Sequence, residues 1–454
     1  MPFVNLMLRM LSAPALIKSR IWLPCYWFAA ESVLSSRSIC HRSLPKGKMR
    51  LWLKQFNKAH EIDIIHIIFD VLILLCVYSY LRCTIGKELL VDDIIDLTAI
   101  TSVIIAFIFD FIANGLAWLI ANRREDREKL TEDYSALVEQ YSDDRERMLH
   151  DADPAGQEAV LPVIVDAWTY GKEFAIEDCG DEYQLPGVVA NHFDELFGAH
   201  ATSDVYNNTN IRMDGWEAVQ DRFVMHTSRT TYFSSLVTNR AMDYKLSNGI
   251  TIRDLFECGP AMHAPADSNL SNHLGFNGFV ISSDGFIVLV KRSGRTSIGK
   301  RTVGDSIGAS LKTKYALNHG DFSVDGLVNG IIREIRDELN IEESELEPFT
   351  PATNIIAAYR DYVEGGKPQL FFVARAKIDR ATMQRQFDAA VQRQDNSELR
   401  RDGDLLIWIP ESDIEEVGIS TDRIHYRGSV YPMVPSAVAG FIIYKKYLKE
   451  RDAA

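Results

Sequence analysis

Three carboxylates, Glu334, Asp337 and Glu338, follow one another at intervals of three and one residues in a single short segment. On an α-helix these positions share one face, while Ile335 and Leu339 fall on another face that can pack into a core. Clustered carboxylates repel one another unless a cation lies among them, and oxygen ligands suit Mg²⁺, the usual ion of phosphate chemistry. The segment therefore predicts a metal site, although an acidic helix face exposed to solvent has the same pattern.

The apolar pattern around this helix predicts the elements that position it. Before the helix, two strands are joined by the tight turn Asp284-Gly285. After the helix, a second hairpin turns at Gly365-Gly366, and a late strand and a final helix follow. The predicted strands are 277–281, 286–290, 354–362, 369–377 and 405–410, and the predicted final helix is 436–449.

The segment that holds the carboxylates resembles the centre of the Nudix box, the family signature G-x5-E-x7-R-E-U-x-E-E-x-G-U, in which U is aliphatic. The matching residues are Arg333, Glu334, Ile335, Glu338 and Ile341. Two glutamates are replaced by aspartates, Asp325 and Asp337, and the two glycine positions hold His319 and Asn340. The resemblance covers roughly residues 270–450 and implies a Nudix-like α/β/α sandwich with a mixed sheet.

The Nudix resemblance also implies roles for residues at the matching positions. Glu334, Asp337 and Glu338 would hold Mg²⁺, with Glu334 and Glu338 as the catalytic pair and Arg333 orienting a carboxylate. Nudix enzymes hydrolyse nucleoside diphosphates linked to another moiety, so the resemblance implies that reaction. Because aspartate is one methylene shorter than glutamate and His319 adopts a positive φ less easily than glycine, two alternatives stay open. The site is either an active variant or a binding pocket that has lost turnover.

Charge separates the acidic helix from the stretch that leads up to it. The net charge of −14 argues against a general nucleic-acid-binding surface, so no duplex partner is expected. Residues 291–314 are nevertheless basic, with Asp305 as the single acid. We expect a ligand with several phosphates to bind at Lys291, Arg292, Lys300, Arg301 and Lys312. A solvated loop would have the same composition.

Two apolar runs, residues 64–81 and 97–121, approach or exceed the roughly 20 residues that cross a bilayer as a helix. Basic residues flank the pair, and the connecting loop is mainly acidic, so both termini are expected in the cytoplasm of a bacterial cell. Each run carries an acid, Asp70 or Asp110, which suggests a polar seam for self-association or a pore. A buried helical hairpin is the alternative. The six cysteines show no CxxC spacing, which suits a reducing cytosol.

These features divide the chain into five predicted segments. Residues 1–48 are an uncertain leader: an upstream start chosen in error, with Met49 as the true start, or a mitochondrial presequence. The remaining segments are a transmembrane hairpin at 49–122, a charged juxtamembrane helix and linker at 123–159, a mixed elaboration at 160–269 and the Nudix-like domain at 270–454. The juxtamembrane helix is predicted over 123–150, because that stretch is charged and lacks glycine and proline.

The domain order is similar to that of the two-transmembrane Nudix effectors of CBASS, the bacterial anti-phage systems that signal with cyclic oligonucleotides. The resemblance implies a nucleotidyltransferase that makes the messenger, a cytosolic domain that binds it and an oligomeric membrane part that disrupts the inner membrane. The alternative is a plain enzyme, a membrane-anchored Nudix hydrolase that cleaves nucleoside diphosphate-linked substrates with Mg²⁺. In that case the spans are only an anchor.

Overall fold

The structure is a computed structural model. It describes residues 129–152, 156, 158–200, 207–292, 302–393 and 403–453. All of these residues lie in one compact unit, Ala117–Ala454. The two predicted spans lie outside the described residues, as do Lys300 and Arg301.

The described residues contain seventeen strands and ten α-helices. The strands are β1 Met148–Ala152, β2 Glu158–Trp168, β3 Glu173–Glu182, β4 Thr209–Val219, β5 Arg222–Thr231, β6 Gly275–Ile281, β7 Phe286–Arg292, β8 Val303–Gly304, β9 Ile307–Ser310, β10 Leu317–Asn318, β11 Asp321–Phe322, β12 Ile355–Asp361, β13 Lys367–Arg375, β14 Gly403–Pro410, β15 Gly418–Ser420, β16 Arg423–Tyr426 and β17 Ser429–Pro432. The helices are α1 Tyr134–Gln140, α2 Gly187–Asn191, α3 Phe193–Gly198, α4 Tyr232–Leu236, α5 Ile252–Phe256, α6 Thr313–Ala316, α7 Val324–Leu339, α8 Pro351–Asn354, α9 Arg380–Arg393 and α10 Pro435–Ala453.

A nine-stranded mixed sheet organises the fold. Seven of its strands follow the order β1-β2-β12-β13-β6-β7-β14, and the short strands β8 and β9 pair with β7 and β6. The central pair β6 and β13 is parallel, and the other neighbours in this order are antiparallel. Strand β6 changes partner along its length, because β9 pairs with its first half and β7 with its end. The short strand β8 pairs antiparallel with the end of β7. We call the place where β7, with β8 beside it, separates from β9 the fork.

Alternating side chains of the central strands divide the core between the two faces of the sheet. In β6, Phe276 and Val280 belong to one hydrophobic cluster, and Phe279 and Ile281 belong to the other. Helices α7 and α9 cover the first face, and α10 with strands β15–β17 covers the second. Because both faces are covered, the central strands are apolar on both sides, as buried parallel strands generally are. The result is a three-layer mixed α/β domain.

A second sheet, of order β3-β5-β4, packs against the face that carries α7. Strands β3 and β5 are parallel and β4 and β5 antiparallel. The start of β4 is joined to the large sheet by two isolated bridges, Asn210 with Lys312 and Arg212 with His273. The segment 160–269, to which the sequence assigned no chemistry, therefore supplies β2 to the large sheet and fixes the backbone that precedes α7.

The predicted elements around α7 are confirmed. The two strands before it are β6 and β7, the second hairpin is β12 and β13, and the late strand and final helix are β14 and α10. Gly365 and Gly366 both have positive φ at the turn between β12 and β13, as a glycine pair there requires. The predicted turn at Asp284-Gly285 likewise has a positive φ, at Gly285.

The prediction of a helix over residues 123–150 is wrong within the described part. Helix α1 ends at Gln140, and the chain enters β1 at Met148. Tertiary contacts override the helical pattern, because the Tyr141 side chain is fully buried and the Asp144 carboxylate accepts from the Met262 amide. These residues serve contacts within the domain instead of facing solvent along a helix.

None of the helices in the described part of the chain combines the length and the apolar character needed to cross a bilayer.

Candidate functional site

Helix α7 carries the three carboxylates and is fixed at both ends. The Ser323 side chain accepts a hydrogen bond from the Gly326 amide at the N-terminus. At the C-terminus, Asn340 adopts a left-handed conformation with φ 58° and donates its amide to the Arg336 carbonyl. A Cβ at Gly330 would collide with the Leu311 side chain. The helix therefore lies close to the chain that runs from β9 into α6.

That neighbouring chain supplies a partner to each of the three carboxylates. The Lys312 Nζ donates to Glu334 Oε2 at 3.0 Å and lies 2.9 Å from Glu334 Oε1. The Tyr315 hydroxyl donates to Asp337 Oδ2 at 2.7 Å. The Gly308 amide lies 3.5 Å from Glu338 Oε2.

Burial differs among the carboxylates. The Glu334 side chain is 3% exposed, whereas Asp337 and Glu338 are half-buried. An ionised carboxylate at such depth requires a counter-charge, and Lys312 provides it. Burial raises the pKa of the Tyr315 hydroxyl, and the hydrogen bond to Asp337 acts in the same direction. Tyr315 therefore stays a neutral donor to Asp337 at physiological pH.

The arrangement does not fit Mg²⁺ as it stands. A magnesium ion keeps near-octahedral oxygen coordination at about 2.1 Å, which requires carboxylate oxygens that face it. Both Glu334 oxygens instead face the Lys312 ammonium, and Asp337 accepts from Tyr315. Within the described ranges, no group of three histidine, cysteine, aspartate or glutamate side chains is arranged to hold a metal ion.

The other positions of the signature behave differently. Arg333 and Asp325 are exposed on α7, whereas Glu334 is buried. His319 has φ 52° and Asn340 has φ 58°. Both positions that the signature assigns to glycine thus have the left-handed backbone for which glycine is favoured. The expectation that His319 resists this conformation is not met.

Two of the five predicted ligand-binding cations lie at α7 or at the fork beside it. Lys312 contacts Glu334, and the Arg292 guanidinium lies in the fork between β8 and β9. A Cβ at Gly308 would come within 2.5 Å of Arg292 Nη2, so the absence of a side chain there makes room for the guanidinium. Lys291 is exposed on β7. Lys300 and Arg301 lie outside the described residues.

Sequence reasoning missed Tyr315 and undervalued Asp305. Asp305 is 4% exposed, and neither of its carboxylate oxygens has a hydrogen-bond partner among the described residues. Burial raises the pKa of Asp305 well above its usual range, and Arg292 acts in the opposite direction. The available signal was its position in the short run Val303–Ile307, where an acid stands among strand residues. His273 is fully buried.

A second cluster joins the start of the described chain to the domain. Arg253 donates to both carboxylate oxygens of Asp243, at 2.6 and 2.9 Å, and to the Tyr141 hydroxyl at 3.1 Å. It also donates to the carbonyls of Tyr362 and Val363, at 3.0 and 2.9 Å. The guanidinium thus holds the end of α1 against the turn between β12 and β13. We call these residues the Arg253 cluster.

Asp144 strengthens the same junction. Its Oδ2 accepts from the Met262 amide at 2.9 Å and from the Tyr362 hydroxyl at 2.8 Å. The rings of Tyr141 and Tyr362 meet edge to face with centroids 5.1 Å apart. Directly after this junction, β1 enters the large sheet beside β2. The chain between residues 134 and 152 is therefore an integral part of the domain.

A groove of about 570 Å³ lies at the end of the sheet where β7 begins and β13 ends. Its two arginines already have acidic partners, Arg375 with Glu411 and Arg451 with Asp452. None of the predicted site residues lines it. We therefore place the candidate site at α7 and the fork beside it.

Comparison with known proteins identifies no family. No protein-family model matches the chain, and no curated protein matches it. Among solved structures, the chain is similar to DR0079 from Deinococcus radiodurans, with 15% sequence identity and a TM-score of 0.20. The match covers 32% of this chain and 71% of DR0079. A TM-score this low supports no conclusion about function.

Proposed function

We propose that the chain is a membrane-bound effector of an antiviral CBASS system. Its cytosolic domain binds a cyclic oligonucleotide made by a partner nucleotidyltransferase, and the membrane segment then disrupts the bacterial inner membrane. The observation that carries the proposal is the junction at the Arg253 cluster. The chain that follows the predicted spans is built into the ligand-binding domain, so a change in the domain acts directly on the preceding segment.

A simple anchor does not need such a junction. A tethered enzyme works on a flexible linker, because its chemistry is independent of the membrane. Here the buried guanidinium of Arg253 donates to Tyr141 at the end of α1 and to the Tyr362 carbonyl in the turn between β12 and β13. The Asp144 carboxylate accepts from the Tyr362 hydroxyl. We propose that the domain has two states that differ in this turn, and that the ligand binds one of them better and so favours it. The chain leading to the predicted spans then moves with the turn.

The fold and backbone support a Nudix-like domain. The mixed sheet lies between α7 and α9 on one face and α10 on the other. The box segment forms α7, and the left-handed conformations of His319 and Asn340 occur where the signature has glycine. The match of the side chains is partial, but the backbone that the signature requires is retained at both positions.

The ligand class follows from the charges around α7. Arg292 and Lys312 lie at the fork and at the helix, and the basic stretch continues through Lys300 and Arg301 in the sequence. Cations placed in this way suit a ligand with several phosphates. We expect that reversing the charge of Lys300 and Arg301 together weakens binding. Full affinity in that double variant would place the pocket elsewhere.

The alternative is a membrane-anchored Nudix hydrolase that cleaves nucleoside diphosphate-linked substrates. Asp337 and Glu338 favour this reading, because both are half-buried on the side of α7 that solvent reaches. In this reading Glu334, Asp337 and Glu338 would hold Mg²⁺ in place of the Lys312 ammonium. The ion would polarise the diphosphate and activate water. Glu338 and Glu334 would be the catalytic residues.

A calorimetric titration with cyclic oligonucleotides in Mg²⁺ separates the two proposals. The piece of the chain used for this titration should begin near residue 129, because α1 and β1 belong to the domain. Heat that saturates at a fixed stoichiometry supports a sensor. Heat that continues after each injection identifies turnover and supports the hydrolase. The absence of heat with every cyclic oligonucleotide tested would refute the effector proposal.

A further inference from the structure

We propose that the Lys312 ammonium takes the place of a divalent cation in the acidic cluster, so that the site binds a phosphate ligand without metal. The ligand class rests on the proposed function, whereas the role of Lys312 rests on the geometry alone. In this site Lys312 is a specificity-determining residue. It selects binding over hydrolysis.

The ammonium lies where a cation bound to Glu334 would lie. Its Nζ is 2.9 Å from one carboxylate oxygen and 3.0 Å from the other, so it contacts both. The Glu334 side chain is 3% exposed and that of Lys312 is 17% exposed. A buried carboxylate contacted on both oxygens by a charged donor has its charge compensated within the protein.

The backbone of Lys312 is held on two sides. Lys312 forms a β-bridge with Asn210 at the start of β4. The amide of the neighbouring Leu311 donates to the Leu274 carbonyl at 2.9 Å. The Lys312 carbonyl accepts from the Ala316 amide at 3.1 Å, which closes α6. The backbone position of Lys312 is therefore set by β4 of the second sheet, and not by α7 alone.

The remaining carboxylates also have polar partners. Asp337 accepts from the Tyr315 hydroxyl, and Glu338 lies beside the Gly308 amide. A divalent ion that entered the cluster would have to displace the ammonium from Glu334 and the hydroxyl from Asp337. Each displacement breaks a partly buried polar contact, which opposes metal entry.

Replacing the metal with an ammonium changes what the site does to a phosphate. Lysine acts on phosphate as a point charge, with half the charge of a divalent ion. An ammonium does not coordinate water, however, and so it does not lower the pKa of a water molecule to form a nucleophile. The site consequently binds and releases its ligand unchanged.

Manganese binding to the full chain in detergent tests the role of Lys312, with Mn²⁺ detected by electron paramagnetic resonance. We expect Lys312→Met to bind Mn²⁺ at least about 10-fold more tightly than the wild type, because it removes the ammonium that contacts both Glu334 oxygens. The double variant Lys312→Met with Glu334→Gln should return to the wild-type level. Lys377→Met is the matched control, since Lys377 is exposed and its ammonium donates to the Ser344 carbonyl at 3.1 Å.

Lys312→Arg covers the case in which the methionine variant does not fold. It keeps the positive charge and should bind Mn²⁺ as weakly as the wild type. Equal Mn²⁺ affinity of the wild type, Lys312→Met and the double variant would overturn the inference, as would tighter binding by Lys312→Arg. These titrations contain no nucleotide, so they decide the role of Lys312 even if every cyclic oligonucleotide fails to bind and the proposed function is refuted.

Ligand binding supplies a second measurement. We expect inorganic pyrophosphate to bind the wild-type chain with the same affinity in Mg²⁺ and in EDTA. Loss of binding in EDTA would show that a metal, not Lys312, provides the positive charge.

Discussion

Replacing Arg253 by methionine is expected to release the start of the described chain from the domain. The Arg253 side chain is 3% exposed and is the common donor of the Arg253 cluster. Methionine fills a similar volume but has no hydrogen to donate. The Asp243 carboxylate then loses its counter-charge, and the carbonyls of Tyr362 and Val363 lose a donor.

The magnitude follows from the burial of the pair. Removing one partner of a buried ion pair costs about 3–5 kcal/mol, because the other charge stays uncompensated. Asp243 is 15% exposed and also accepts from the Thr131 amide at 2.8 Å, which reduces the loss. We therefore expect a loss near the lower limit, about 3 kcal/mol. The pKa of Arg253 is raised although burial opposes this, because Asp243 accepts its hydrogen bonds.

Hydrogen exchange measured by mass spectrometry on the full chain in detergent is the assay. If the free energy of local opening falls by about 3 kcal/mol, the α1 amides exchange about 100-fold faster. The amides of β6 and β13 should exchange as in the wild type, because they are central in the large sheet. In cells, the variant should bind ligand but no longer pass the signal to the spans.

Arg451→Met is the matched control for this substitution. Arg451 is 43% exposed and pairs with the neighbouring Asp452, so its loss should cost less than about 1 kcal/mol. If Arg253→Met left the exchange of α1 as slow as Arg451→Met does, the Arg253 cluster would not be the junction. If α1 exchanged faster while toxicity on infection persisted, the mechanical link to the membrane would be refuted, and the Arg253 cluster would be a structural junction alone.

Three further perturbations test other parts of the molecule. Asp361→Asn should gain stability over the wild type as pH rises from about 4 to 7, because burial and then Glu364 raise the pKa of Asp361 to about 7. The folded wild type keeps a proton on Asp361 that the unfolded chain releases, so its free energy of unfolding falls by up to about 4 kcal/mol as pH rises across this window. Urea unfolding of both proteins at several pH values measures the difference. Glu338→Gln should eliminate nucleotide release if the chain is a hydrolase, whereas residual turnover at the wild-type rate would contradict a catalytic role. Asp70→Leu and Asp110→Leu should each leave calorimetric ligand binding intact and abolish toxicity; unchanged toxicity in both would exclude the polar seam.

The central layers of the fold were predictable because their signals are local. Residues 277–281 and 286–290 alternate or run apolar over strand lengths, and α7 has its apolar residues at helical spacing. The glycine pair at Gly365 marks the second turn. Each of these signals depends on neighbours in sequence, which the chain displays directly.

The juxtamembrane prediction failed because its deciding contacts are distant in sequence. Tyr141 bonds with Arg253, and Asp144 bonds with Tyr362, which lies 218 residues away. A charged stretch without glycine has helical propensity, but propensity is a weak preference that tertiary contacts override. Nothing between residues 141 and 148 shows locally that a strand will follow.

The site was predictable in its acids but not in their partners. The spacing of Glu334, Asp337 and Glu338 placed them on one helix, and the helix was found. Lys312 was predicted to bind phosphate, and its contact with Glu334 depends on the bridge to Asn210 from the second sheet. Tyr315 gave no signal, because a tyrosine in a basic stretch has no pattern of its own.

The departures from the Nudix signature differ in their physical consequences. His319 and Asn340 lack the freedom of glycine, yet both adopt the left-handed backbone, so the loop and the helix end keep their shape. Asparagine is among the residues that tolerate this region best, and histidine is also enriched there. Lys312 lies outside the signature but changes the chemistry, because it places a fixed positive charge on Glu334. In the proposed role of Lys312, the loss of turnover comes from that fixed charge and not from the replaced glycines, so the substitution of glycine is a poor indicator of whether turnover is lost.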